Sequence, residues 1–163
     1  MSERFLGSGG LGCIGAWTVK RRVNEGVPVW TYDLPGSQHR LQLIMNADEL
    51  AKVTMIGGDI TDFEMFEKTV ADNGITNIVH LAAFQVPFVR ADPVQGMKVN
   101  AVGTTIVFET AKRHRDHVRS VAYASSAGVY GPPDRYPAGP LAHDAPHDPT
   151  NLYGVTKHAN EGT

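Results

Sequence analysis

The chain has 163 residues, 42% hydrophobic and 20% charged with a formal net charge of -2, which makes it the size of one domain, able to bury roughly two-thirds of the surface its unfolded form exposes. That balance excludes a polyanion-binding surface, a disordered tail and a fibrous repeat, so nucleic acid is not an expected partner. The most apolar run, Ile78 to Val89, carries His80, Gln85 and Pro87 and is too short for a bilayer that needs about 20 apolar residues; the single cysteine, Cys13, forbids an internal disulfide and fits a reducing cytoplasm.

Glu3 to Leu6 reads as a short strand, and Cys13 to Asn24 as a helix stopped at Gly26. The stretch around Arg4 and the glycines lacks a small-residue cleavage site, so no leader peptide is expected. Val27 to Tyr32, β-branched and aromatic, predicts a second strand closed by Asp33 and the turn residues Pro35 and Gly36. Val53 to Ile56 predicts a third strand, Thr61 the N-cap of a helix running to Asn73, and Asn77 to Ala83 a fourth strand. A long helix is expected from Pro93 to His114, followed by a fifth strand, Val118 to Ser125, buried on both faces.

This alternation predicts an α/β fold with a mostly parallel, doubly wound sheet, with ligands at the carboxyl ends of the strands. Residues 127–150 hold six of the ten prolines and read as one long loop of the kind that carries function. A last helix starts near Asn151 and is still running at Thr163. With no sixth strand after it, the fold reads as interrupted after the fifth strand.

Gly7 to Gly15, GSGGLGCIG, places five glycines in nine residues. G-x-G-x-x-G fits Gly7, Gly9 and Gly12, or Gly10, Gly12 and Gly15; G-x-x-G-x-x-G fits Gly9, Gly12 and Gly15. Each register suits a nucleotide loop, because a backbone without Cβ approaches a pyrophosphate closely and the following helix offers unpaired N–H groups. The first register is disfavoured, since it leaves later glycines inside a helix at about 1 kcal/mol each. Asp33, at the end of the second strand, is placed to accept hydrogen bonds from an adenosine ribose and to repel a 2'-phosphate; with no Arg or Lys before Arg40, NAD is expected over NADP. Tyr153 and Lys157 lie four residues apart on one helix face, where an ammonium favours a phenolate acid/base. Ser126, at the end of the fifth strand, offers a hydroxyl to a substrate oxygen.

Taken together, these residues resemble the extended short-chain dehydrogenase/reductases, specifically the NAD-dependent epimerase/dehydratase family acting on nucleotide sugars. The resemblance rests on G-G-x-G-x-I-G at Gly9 to Gly15, Asp33, Gly58-Asp-Ile60, His80-Leu-Ala-Ala83, Asn100-Ala-Val-Gly-Thr104, Ser125-Ser-Ala-Gly-Val-Tyr-Gly131 and Tyr153-Gly-Val-Thr-Lys157. It implies a Rossmann-type NAD-binding domain over residues 1–163, without the C-terminal substrate domain of the family. By the same resemblance Gly9, Gly12 and Gly15 form the pyrophosphate loop, with backbone contacts from Cys13 and Ile14. Asp33 holds the adenosine ribose, and Asp59 with Ile60 the adenine. Leu81, Ala82 and Ala83 line the cofactor, and Asn100 sits beside it. Ser126 and Tyr153 face the substrate hydroxyl, and Lys157 binds the nicotinamide ribose.

The implied activity is reversible hydride transfer with Tyr153 as acid/base, in a cytoplasmic protein that pairs as a homodimer through the long helix and the Tyr153 helix. Simple sugar, uronate or alcohol oxidation, and a non-catalytic NAD-binding module, are the alternatives. No metal is expected: His143 and His147 fall in the acidic, proline-broken loop before Tyr153. Cys13 is expected to be a small apolar filler of the glycine loop.

Overall fold

Side-chain alternation along the first two strands decides where the core lies. The structure, a computed structural model, describes residues 2–163. In β1 (Phe5–Ser8) and β2 (Val29–Asp33), Leu6, Trp30 and Tyr32 enter one apolar cluster, while Phe5 and Val29 enter another on the opposite face, as the twofold repeat of a strand requires. β3 (Val53–Gly57), β4 (Asn77–His80) and β5 (Ser120–Tyr123) complete a sheet of order β3-β2-β1-β4-β5. All four pairings are parallel. The strand order reverses between β1 and β4, so the crevice for a ligand opens beyond their carboxyl ends.

One face is covered by α1 (Cys13–Asn24) and α2 (His39–Ile44), through Val19, Val23 and Leu41. The other face packs on α4 (Phe63–Asp72) and on a later helix, α7 (Gly103–Arg113), through Phe66, Val70, Ile106 and Val107. Phe66 is fully buried and meets Tyr32 edge-on, with ring centroids 5.1 Å apart.

Several expectations shift. The first strand lies two residues later than predicted, ending at Ser8. The fourth stops at His80 instead of Ala83, because its partner β1 ends at Ser8, and Leu81 makes the last bond, to the Ser8 carbonyl at 2.9 Å. Asp62, not Thr61, caps α4 by accepting from Met65 N–H. The hydroxyl of Thr61 donates instead to Asp59. The fifth strand is an edge of the sheet, with Ser120 and Ala122 exposed and Val121 and Tyr123 half-buried, so it is not covered on both faces.

Three short helices, α2, α3 (Ala47–Leu50) and α5 (Val86–Ala91), escape the periodicity, being too short to show one. The expected long helix is α6 (Pro93–Met97), one π-helical turn at Lys98–Val102, and then α7. The last helix, α8 (Leu152–Glu161), is capped by Asn151, whose side-chain Oδ1 accepts from Gly154 N–H at 3.0 Å.

Phe66→Ala removes the ring that joins α4 to β2. It is expected to lower unfolding free energy by about 3–5 kcal/mol, read as a shifted urea midpoint; a loss under about 1 kcal/mol would remove Phe66 from the core account.

Candidate functional site

The chain leaves β1 at Ser8 and must turn at once into α1. Gly9 makes the turn with φ +73, and a Cβ there would stand 2.6 Å from the Ala82 nitrogen. Gly15, on the first turn of α1, packs so closely that a Cβ would sit 2.0 Å from the Gly9 carbonyl oxygen. Gly12 is the N-cap residue and has no side chain to satisfy the helix's opening N–H groups. Those of Cys13, Ile14 and Gly15 are left for a ligand, at the positive end of the helix dipole.

This turn forms one wall of a cleft of about 710 Å³ along the carboxyl edge of the sheet. Gly9, Gly12, Cys13, Ile14, Gly15, Asp33, Asp59, Ile60, Leu81, Ala82, Ala83, Tyr153 and Lys157 all line it. Cys13 is exposed, so it is not the packed filler expected from the sequence; α1 turns its first residue outward, and Ala16 and Val19 take the packing instead. Leu34, Ser37 and Arg40 also line the cleft. Arg40 stands well beyond Asp33 in sequence, yet the turn through Pro35 and Gly36 carries α2 back to the same cleft.

At the far end, Asp33 accepts from Leu11 N–H at 3.3 Å. Burial pushes its carboxyl up to about 7, against the lowering pull of the Leu11 and Gly10 amides. Asp59 accepts from both the N–H and the hydroxyl of Thr61, while its carbonyl receives the Tyr32 phenol at 3.0 Å.

At the near end stands Tyr153, which also borders a second, mostly apolar cavity of about 230 Å³ lined by Val86, Val89, Arg90, Pro93, Asn151 and Leu152. Tyr153 therefore lies between two spaces. One turn on, the buried Lys157 donates to the Ala124 carbonyl at 2.7 Å, with Nζ 5.9 Å from the centre of the Tyr153 ring. Burial lowers the Lys157 pKa.

Two predicted residues, the buried Asn100 and the half-exposed Ser126, are not part of the cleft wall. Asn100, on the π-helical turn, is 1% exposed and grips the Phe84 backbone, accepting from its N–H at 2.7 Å and donating to its carbonyl at 2.9 Å. Ser126 caps the short 3-10 turn Ala127–Val129 by accepting from Gly128 N–H at 3.1 Å. Of the two serines that follow β5, Ser125 is the one that lines the cleft.

A buried polar network carries this arrangement. Thr104 Oγ1 donates to the Asn100 carbonyl at 2.7 Å and accepts from Asn160 Nδ2 at 3.0 Å. Its single proton is therefore committed, so His80 Nε2, 3.0 Å away, must be the donor. His80 Nδ1 is then an acceptor, and the Ser8 hydroxyl donates to it at 2.6 Å. Burial, and secondarily the charge of Lys157, hold His80 down to about 3, keeping it neutral in this tautomer.

Residues 8–162 match the model of the NAD dependent epimerase/dehydratase family. The chain belongs to this family. It is 31% identical over 154 residues to a UDP-glucose 4-epimerase of Lacticaseibacillus casei, covering 94% of this chain and 43% of that protein. Among solved structures it is similar to the UDP-Glc/GlcNAc 4-epimerase of Campylobacter jejuni, with a TM-score of 0.84 at 25% identity over 99% of this chain and 47% of that one. It is also similar to the UDP-glucose 4-epimerase of Brucella ovis in complex with NAD, with a TM-score of 0.79 at 26% identity over 99% and 46% of the two chains. The chain thus spans less than half the length of each of these proteins.

Asp33 and His80 make opposite contributions to stability as pH changes. Between about pH 4 and 7 the folded chain holds a proton on Asp33 that the unfolded chain has released, so this contribution is full at acid pH and is lost as pH rises through about 7. Unfolded His80 takes up a proton below about 6.5, which the folded ring refuses until about 3, so its contribution is present above 6.5 and is lost as pH falls. The two offset each other over the shared window. In Asp33→Asn only the His80 slope remains, and the melting temperature of the variant is expected to climb more steeply from about pH 4 to 6.5 than that of the parent. Parallel calorimetric profiles would show that Asp33 titrates as an ordinary carboxyl.

Proposed function

We propose that this chain binds NAD along the cleft and supplies the acid/base groups for reversible oxidation of a nucleotide-sugar hydroxyl, in the manner of an epimerase or dehydratase. The observation that carries this reading is the position of Tyr153 between the long cleft and the smaller cavity. A group there meets a cofactor on one side and a second molecule on the other. The residues present fit a dinucleotide: Gly9 and Gly15 let the strand-to-helix turn close tightly on its own backbone and on Leu81 and Ala82, α1 offers three opening N–H groups to the cleft, and Asp33 stands at the other end as an acceptor for a ribose diol. NAD bound in this cleft supplies the hydride acceptor and donor.

The chain's own residues do the rest. Tyr153 takes the proton of the sugar hydroxyl and later returns it. Lys157, fixed on the Ala124 carbonyl, places a positive charge that offsets negative charge developing on the neighbouring oxygens. Ser126 accepts its backbone cap, which leaves its own O–H to donate to the substrate oxygen. Asn100 acts through Phe84, whose backbone it fixes beside the cleft. Cys13 and Ile14 hold the pyrophosphate through their amides, Asp59 and Ile60 border the adenine, and Leu81 to Ala83 line the nicotinamide half. The apolar wall and Arg90 of the smaller cavity suit a sugar ring followed by an anionic diphosphate. The full activity belongs to the longer protein of which relatives are examples, and pairing of two copies through α6, α7 and α8 belongs to the same proposal.

Calorimetry on the present chain at pH 8 is expected to show NAD binding, with NADP at least about tenfold weaker because the ionised Asp33 repels a 2'-phosphate. Tighter NADP binding would transfer control of that end to Arg40, and binding of neither would overturn the reading. Asp33→Asn removes a charged acceptor and should weaken NAD by about 10- to 100-fold. In a form carrying the further length of the relatives, Tyr153→Phe is expected to lower turnover by about 10²- to 10⁴-fold while leaving NAD affinity unchanged; retained turnover would remove Tyr153 from the chemistry.

A further inference from the structure

His147, His158 and Glu161 converge at a point that the hydride-transfer reading does not use. His147 belongs to the proline-rich loop and the other two lie one turn apart on α8, yet one ligand atom from each falls within 4.8 Å of the others. His147 Nδ1 is 2.7 Å from His158 Nδ1 and 3.3 Å from Glu161 Oε2. Two imidazole nitrogens and a carboxylate oxygen thus aim at one small volume, with a single proton held between the two rings.

The surroundings fix two of the three donors. The His147 ring stands edge-on to Tyr130, with centroids 5.1 Å apart, and Tyr130 leans in turn on Tyr136, which is tied to the loop through the Gly131 amide and the Pro146 carbonyl. Glu161 has its other oxygen occupied by the Ser125 hydroxyl, which leaves Oε2 turned toward His147. His158 is exposed and free to adjust. On a tetrahedral zinc ion with bonds of about 2.0 Å, neighbouring ligand atoms lie about 3.3 Å apart. The His147 to Glu161 spacing already matches, and the two rings need to open by about half an ångström, which the exposed His158 can supply.

We propose that His147, His158 and Glu161 form a binding site for one borderline divalent metal ion, of which zinc is the representative, with water completing the shell. Two imidazoles and one carboxylate are a donor set for zinc, cobalt or nickel and not for magnesium or calcium, which take oxygen ligands. The metal displaces the proton shared by the rings, with no redox change. It clasps the loop that holds His147 onto α8, the helix of Tyr153 and Lys157, and reaches the cleft wall through Ser125. Ser125 orients the carboxylate in the way that outer partners commonly fix metal ligands.

The test is zinc chloride titrated calorimetrically into tag-free protein previously treated with chelator, with imidazole ¹⁵N spectra as a second readout. One equivalent is expected to bind, shifting the ring signals of His147 and His158 and raising the melting temperature. His158→Ala, at an exposed position that does not endanger folding, and Glu161→Gln should each weaken binding by about tenfold or more. His143→Ala and His114→Ala should bind zinc as the parent does, and magnesium should not bind. Zinc affinity unchanged in His158→Ala, affinity lost in His114→Ala through the separate group of His114, Asp116 and His117, or no binding at all would each overturn the proposal.

Discussion

The buried imidazole of His80 is the constraint on which the carboxyl edge of the sheet depends. It joins β1 to β4 through Ser8 and β4 to α7 through Thr104, and from Thr104 the network continues to Asn100 and Asn160. Asn160 closes it by donating to the Asn100 carbonyl at 2.8 Å, so α8 is fastened to the π-helical turn. In this network each N–H and O–H has an acceptor, and a second proton on the ring would force the Ser8 hydroxyl to give up its bond to Nδ1 and turn elsewhere. The neutral ring is thus the form that this network fits. The cleft inherits its shape from that network, because Gly9 follows Ser8 and Leu81 follows His80.

The π-helical turn has a specific use in this setting. An unbroken α-helix from Pro93 to Arg113 would present Asn100 at a different angle and leave its amide without the paired Phe84 contact. The extra residue per turn lets one side chain satisfy both an N–H and a carbonyl of a segment that has left the sheet. Phe84 is held there without a strand, and the cleft wall from Leu81 to Gln85 stays open to ligand.

Much of this was legible in the residues because the relevant patterns are local. Glycines at a strand-to-helix turn, an acid at the end of the second strand and a Tyr-Lys pair at helical spacing each follow from backbone sterics or helix geometry, and the structure brings Gly9, Asp33, Tyr153 and Lys157 to one cleft. What escaped was set by tertiary partners. The length of the fourth strand depends on where β1 stops, the exposure of β5 on its place at the sheet edge, and the orientation of Asn100 on a turn type that no composition signals. Arg40 reaches the cleft because α2, too short to show a period, folds back against α1. No sequence pattern pairs His147 with His158, since proline-broken spacing offers no face, and only the packing of the loop on α8 brings their rings together.

The outward turn of Cys13 has a practical consequence. It is the chain's single cysteine, it is exposed, and it borders the cleft at the opening turn of α1. Anything that settles against those amides also covers the sulfur. The protein therefore carries its own occupancy gauge: the rate at which a thiol-directed dye labels it reports how often the cleft stands empty, with no engineered probe and no second thiol to confuse the signal.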